Sequence, residues 1–438
     1  MTTICASPFV WLEFDESGVI DAAAVQGLYD VLKGGVDDLV VISHGWKNDK
    51  NDAEKLYTTL WNNTCANLPA GKAARIAVAG VLWPSKAYPD DFDVAALGAV
   101  KQAGALGLQG GVAAGDISDA IFDDILNEFA KFIGPGSADT IAAARAAAKG
   151  FGANEAHDLV SSGGKAVAAN VPINDVELGQ DGKPIVKSLT DATKAKSLLT
   201  SLQRPPQFKV GTGVVKAQGL GDMVEGLFSG PKAAIARFLN LLTYYEMKKR
   251  AGVVGVGLAD KVLAKLAPDN AVRLHLVGHS FGARLVTAAA NQLALASKLE
   301  FFSLTLLQGA YSHNGMAKDL GAFPAVVGKP TGPIVITHTH NDLACTLAYA
   351  IASRLSRDTT QGIGDAQDEF GAMGANGPQK LDAAVLEPED TNETFKPKRR
   401  KVNRILADAF VVKTSDVDAH NNITNGECGR LLAQTILS

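Results

Sequence analysis

Short apolar runs without alternation recur along this chain, separated by stretches whose apolar positions fall three and four residues apart. The run at 39–42, inside "DDLVVISHGW" (37–46), has no polar position to turn toward water, as a strand covered on both faces of a parallel sheet requires. "ARIAVAGVLWP" (74–84), 272–277 and "FFSLTLLQG" (301–309) read as further mainly apolar strands. Residues 8–14 read as a further short strand. Between these, residues 21–33 read as a helix ending at Gly34–Gly35, and Leu56, Leu60 and Trp61 mark a helix over 52–62. Strand and helix in alternation predict an α/β fold: a mostly parallel central sheet with helices on both faces and right-handed crossovers.

The rhythm is lost between Pro84 and about Asn240. This stretch holds "GALGLQGGVAAG" (104–115), an amphipathic acidic segment at 116–133, an alanine-rich segment at 138–160 and a polar one at 174–196. It predicts a mainly helical cap inserted into the core, so that residues 1–85 and 241–438 form the core and residues 86–240 the insertion. The rhythm resumes with a helix over 235–266, interrupted near the glycines at 252–257. A strand at 272–277, a helix at 282–296, and strands at 301–309 and 332–342 come next. A helix after Asp342, a long polar loop at 357–400, a last strand at 405–412 and a closing helix from near Gly426 complete the chain. There is no internal repeat.

Composition changes this picture little. The 438 residues are 47% hydrophobic and 20% charged, with a net charge of −4. That balance fits a globular protein and argues against a surface built for nucleic acid. The basic run "PKRRK" (397–401) reads as a solvated loop cluster. The four cysteines, Cys5, Cys65, Cys345 and Cys428, are far apart and form no CxxC pair, so scattered reduced thiols are expected. A start without basic residues and the lack of a long apolar run make the cytoplasm the expected setting, with the sequons at 62, 392 and 422 carrying no weight.

Candidate chemistry concentrates in "LHLVGHSFGARLVTAAA" (274–290), where a buried strand breaks on glycine and resumes as a helix. Ser280 stands between Gly278 and Gly282 at that break. A serine hydroxyl attacks a carbonyl only when a base takes its proton, and it must stand clear of its neighbours. A sharp strand-to-helix turn provides the exposure, and only small residues fit two positions to either side of it. The turn also aims the N–H of Phe281 at the space where an oxyanion forms, at the positive end of a helix.

This GHSFG stretch resembles the nucleophile elbow of the α/β-hydrolase family, over flanks of roughly 8–85 and 240–438. The resemblance implies the chain order serine, acid, histidine. Asp342 then stands as the acid at the carboxyl end of "PIVITHTHND", and His420, in "FVVKTSDVDAHNNI", as the base after the final strand. Asp319, Asp365 and Asp368 are alternative carboxylates, while Asp416 and Asp418 stand too close to His420 to orient it. The "HGW" at 44–46 resembles the family's His-Gly-X segment, which makes the Trp46 N–H the second oxyanion donor. Gly45, His44 and His279 are expected to support this loop and pocket, and His313 to border it. His338 and His340 read as packing or rim residues.

Other signals are weaker. "GVVGVG" (252–257) completes no dinucleotide fingerprint, and "HLVGH" (275–279) lacks the glutamate and helix of a zinc site, so neither a cofactor nor a metal is expected. The expected function is a serine hydrolase cleaving small-molecule carboxylic esters through an acyl-enzyme on Ser280. A lipase or phospholipase, whose Ile117, Ile121, Ile125 and Phe129 open against a lipid interface, is one alternative, with that membrane contact less favoured than burial. A non-catalytic binding module is the other. The oligomeric state is not legible.

Overall fold

A computed structural model describes residues 2–86, 116–168, 192–203, 208–210, 213–215, 229–266, 271–294, 299–342, 344–345, 371–391, 395–415 and 417–438. The segments at 104–115 and 174–191, and the stretch directly after Cys345, lie outside these residues. Contacts divide the chain into two compact units. One comprises Met1–Ser85, Met247–Thr346 and Phe370–Ser438, the other Lys86–Glu246 and Leu347–Glu369.

The first unit is an α/β layer structure around an eight-stranded sheet. Its elements in chain order are β1 (Thr2–Ile4), β2 (Ser7–Glu13), α1 (Ala22–Leu32), β3 (Asp38–Ser43), α2 (Lys50–Cys65) and β4 (Ile76–Leu82). In the second unit follow α3 (Asp119–Ile133), α4 (Ala138–Ala147), α5 (Ala153–Ala168), α6 (Ala195–Leu202) and the two-stranded β5 (Phe208–Val210) and β6 (Gly213–Val215). Helix α7 (Pro231–Gly257) begins in the second unit and ends in the first. The first unit then adds β7 (Val272–His279), α8 (Phe281–Gln292), β8 (Leu299–Leu307), β9 (Ile334–His338), the single turn α9 (Met373–Asn376), β10 (Val402–Leu406) and α10 (Gly426–Leu437).

The strand order is β1-β2-β4-β3-β7-β8-β9-β10. All neighbours are parallel except the edge pair β1–β2. Every position of β3 is buried, which explains its run with no alternation, and every position of β7 is buried except Arg273. Tyr57, Leu60 and Trp61 of α2 and Leu431, Leu432 and Ile436 of α10 share one core cluster with Val40, Ile42, Val78, Val277 and Val335 of the sheet. Helix α2 starts where Asp49 accepts from the Asn51 and Asp52 amides, and Asp52 returns a bond to the Asp49 N–H.

Three expectations are corrected. The glycines at 252–257 do not interrupt α7. A Cβ on Gly255 would lie 2.2 Å from the Leu285 carbonyl oxygen, and one on Gly257 2.3 Å from that of Gly18, so these glycines let the helix lie directly on its neighbours. The break comes after them, in a wide π turn at Leu258–Val262. The last strand ends at Leu406 rather than reaching 412. Ala407 donates to the His338 carbonyl and Val411 to that of Ala407, so the apolar run continues as a turn with Ala407 and Val411 in the core. The strand expected to reach Asp342 stops at His338, because Thr339 is held by Asp408 (2.6 Å) and opens a turn.

The lower end of the sheet carries a polar knot. Asp38, fully buried, accepts from Lys72 (2.7 Å), Arg273 (2.7 Å) and His275 Nε2 (3.1 Å), and Ser303 donates to His275 Nδ1 (2.8 Å). Burial raises the Asp38 carboxyl, but the bonds from His275 and Lys72 more than offset this and hold it at about 2. A depressed carboxyl stabilises the fold fully above its ordinary value and ceases to do so as pH falls through about 2. Asp38→Asn is therefore expected to lower unfolding stability near neutrality by about 3 kcal/mol. It should also flatten the fall in stability between about pH 4 and 2, read as denaturant midpoints against pH.

The second unit, taken alone, is mainly helical among the described residues. Asp116 accepts from the Lys232 and Ala233 amides (both 2.9 Å), which fixes the start of α7 behind Pro231. Ile117, Ile125 and Phe129 are buried and Ile121 is half-buried. Gly163 of α5 sits where a Cβ would meet Leu242 and Phe238 of α7.

Candidate active site

Strands β3 and β7 are neighbours, but the chain leaves them in opposite directions, β3 toward β4 and β7 toward β8. Side connections that diverge in this way leave a crevice at the carboxyl ends of the two strands. Into that rim β3 delivers His44, Gly45 and Trp46, and β7 delivers Ser280.

Ser280 has φ 56° and ψ −122°, the left-handed region that a residue with a side chain rarely adopts. The surroundings enforce it. The Ser280 N–H donates to the Leu307 carbonyl (3.2 Å), while its own carbonyl accepts from Ala283 and Ala310 (both 3.1 Å). A Cβ on Gly278 would lie 2.3 Å from the Gly282 oxygen, and one on Gly282 2.3 Å from the Ser43 oxygen and 2.4 Å from that of His44. All the obstructing atoms are backbone. Gly282→Ala is accordingly expected to destabilise the fold by about 3 kcal/mol or more and to displace the elbow, seen as a lower melting temperature together with lost activity.

The structure brings Ser280, His420 and Asp342 together. The Ser280 hydroxyl lies 2.8 Å from His420 Nε2, and His420 Nδ1 lies 2.7 Å from Asp342 Oδ2. Asp342 is fully buried, Ser280 nearly so, and His420 retains a small exposed edge. Burial raises the Asp342 carboxyl, but the adjacent His420 and the Cys345 amide outweigh it and leave it below its ordinary value. The carboxylate is thus charged and accepts the hydrogen bond from Nδ1–H, leaving Nε2 open toward the hydroxyl.

Two residues not singled out in the sequence complete the acid's setting. The Cys345 N–H donates to Asp342 Oδ1 (2.9 Å), and Gln308 Nε2 donates to Oδ2 (3.4 Å). Gln308 is buried, is itself held by Thr337 (2.9 Å), and has φ 46°. A polar residue directly after a buried strand, on the rim that carries Ser280, was the available signal for Gln308. Cys345 carried none. Asp342, Cys345 and His420 also present ligand-type atoms within 4.8 Å of one another, a cluster that their mutual hydrogen bonds account for.

The remaining candidates divide by role. Phe281 opens α8, in the first turn where helix amides point outward, and its ring lies 6.1 Å from that of half-buried Trp46. Gly45 is so close that a Cβ there would sit 2.6 Å from that of Ser280. His44 is buried and stacked on Trp83 (5.6 Å), its N–H on the Tyr57 hydroxyl (2.8 Å), and burial lowers its imidazole to about 4. It holds the loop as a neutral ring. His279 donates from Nε2 to the His420 carbonyl (2.9 Å) with its ring 4.9 Å from that of His420, and burial, then His420, lowers it to about 3. His275 points to the Asp38 knot, so the two histidines of "HLVGH" serve opposite ends of the strand. His313 is buried and bonded through its backbone to Gly371 and Gln379.

Among the other carboxylates, Asp319 is exposed, Asp418 caps the turn at Asn421 (3.0 Å), and Asp365, Asp368 and Asp416 lie outside the described residues. His338 meets Glu389 (3.1 Å) and His340 meets Asp408 (2.8 Å). No family model, curated protein or solved structure matches this chain. No helix among the described residues is long and apolar enough to cross a membrane.

Proposed function

We propose that this protein is a serine hydrolase of the α/β-hydrolase type, with residues 86–240 as its cap, that cleaves carboxylic esters of small molecules. The observation that carries the reading is the unbroken relay from the Ser280 hydroxyl through His420 to the buried Asp342 carboxylate, with the serine raised on a strained turn. Ser280 Oγ attacks the ester carbonyl carbon while His420 Nε2 takes its proton. The oxyanion draws on the N–H groups of Phe281 and Trp46 and on the positive end of α8. Collapse breaks the bond to the alcohol, which leaves with the proton from His420, and the acyl group stays on Ser280. Water, deprotonated by the same imidazole, then attacks the ester carbonyl and frees the acid and the serine.

The lipase reading has less support, since Ile117, Ile125 and Phe129 are buried and Ile121 is half-buried. A panel of chromogenic acyl esters of rising chain length, assayed below and above the micellar threshold, tests the proposal. Steady turnover of short, monomeric esters by the wild type, and only the small residual rate left by a lost nucleophile in Ser280→Ala, is expected. A rate that rises sharply only above the threshold favours a lipase, and a wild type inert toward the whole panel overturns the ester-hydrolase reading.

A further inference from the structure

All four cysteines are free thiols, and they fall into two pairs by environment: Cys345 and Cys428 are buried, Cys5 is exposed and Cys65 half-exposed. The last two, separated by a long stretch of sequence, meet in space. Strands β1 and β2 pair Ile4 with Ser7, which leaves Cys5 and Ala6 as a two-residue turn with φ 48° and 67°. A turn with positive φ at both central positions favours glycine or asparagine, and here neither is present.

Helix α2 supplies the partner. Trp61 donates from its indole to the Ser7 hydroxyl (3.0 Å), and both are fully buried, which pins the start of β2 to this helix. Cys65 is one turn further along the same helix face. Its thiol lies 3.8 Å from the Cys5 carbonyl oxygen.

We propose that Cys5 and Cys65 are a redox-modification site, a dithiol that a small disulfide such as oxidised glutathione converts to an intramolecular disulfide tying the β1–β2 turn to the end of α2. The exposed Cys5 thiolate attacks the small disulfide, forms a mixed disulfide and releases one thiolate. Cys65 loses its proton, attacks the Cys5 sulfur and expels the second thiolate. Two protein thiols thereby become one S–S bond, and the small disulfide is reduced to two thiols, with electrons and protons balanced. Burial, followed by the neighbouring Cys5 thiol, raises the pKa of Cys65. Capping of Cys5 removes the second of these influences, so the Cys65 thiol gives up its proton more readily once the first step has occurred. The bridge closes a long loop and stabilises the first unit chiefly by restricting the unfolded chain. It is independent of the chemistry at Ser280.

The test equilibrates the full chain with reduced and oxidised glutathione at graded ratios, quenches it in acid, and alkylates and digests it without reductant for peptide mass analysis. A cross-linked peptide containing Cys5 and Cys65 is expected to rise with the oxidised fraction and to be lost in Cys5→Ser and in Cys65→Ser. Cys65→Ser should instead accumulate a glutathione adduct on Cys5. The bridged wild type should melt several degrees above its reduced form, a difference absent from Cys65→Ser. Cys5 that stops as a glutathione adduct in the wild type, or two thiols still alkylatable at the most oxidising ratio, would overturn the proposal.

Discussion

Replacing Ser280 with alanine is expected to reduce kcat toward activated esters by about 10⁶-fold, the loss typical of removing a serine nucleophile that acts with its base as one unit. The substitution deletes one oxygen. The φ of 56° at this position is imposed by backbone bonds to Leu307, Ala283 and Ala310, all of which alanine retains. The folded state should persist, with a melting temperature within a few degrees of the wild type. The His420 ring, still held by Asp342 and by His279 under its carbonyl, should stay in place. Residual activity then measures what the oxyanion donors and binding contribute alone, about 10³-fold or more over water. Steady-state turnover with a circular-dichroism melt on the same preparation checks both halves of the expectation.

The second large effect is expected at Asp342→Asn, a loss of about 10⁴-fold in kcat with little change in KM. The variant is nearly isosteric, so its effect must come from hydrogen polarity. The Cys345 N–H, a fixed donor 2.9 Å from Oδ1, forces the asparagine to turn its carbonyl oxygen that way. Its NH₂ group then faces His420 Nδ1 and Gln308 Nε2, which are both donors in the wild type. His420 answers by moving its proton to Nε2, the atom that must receive the serine proton. The catalytic base is present but in the wrong tautomer. A parallel loss of kcat and kcat/KM in a folded protein checks this, and retention of near wild-type turnover would show that another carboxylate orients the imidazole.

How much of this was legible depends on the range over which each feature is written. The elbow is local: a β-type run, two glycines and a helix pattern within 274–290 define it, and the structure places Ser280 at that turn. Asp342 and His420 were legible only through the chain order that the resemblance implies, applied to residues after strands, since a parallel sheet gathers its carboxyl ends on one rim however distant they are in sequence. Features that need side-chain geometry left no trace. The Asp38–His275–Ser303 knot joins three strands through residues that, read singly, are polar interruptions in buried runs. The glycines at 252–257 looked like a helix break, because a helix glycine that admits a neighbouring backbone carries the same letters as one that ends the helix. The apolar stretch after Leu406 looked like strand, because Ala407 and Val411 enter the core from a turn. The hairpin turn at Cys5 and Ala6 carried none of the residues that usually mark one.

The central claim is that the hydroxyl of Ser280 is a nucleophile made reactive by His420, and covalent trapping tests it most directly. The wild type is incubated with a fluorophosphonate, digested, and the modified residue located by peptide mass analysis, with Ser280→Ala and His420→Ala alongside. A single phosphonyl adduct on Ser280, absent from Ser280→Ala and formed far more slowly in His420→Ala, is the result this account predicts. An unlabelled wild type, an adduct on another residue, or labelling of Ser280 at the same rate without His420 would contradict it.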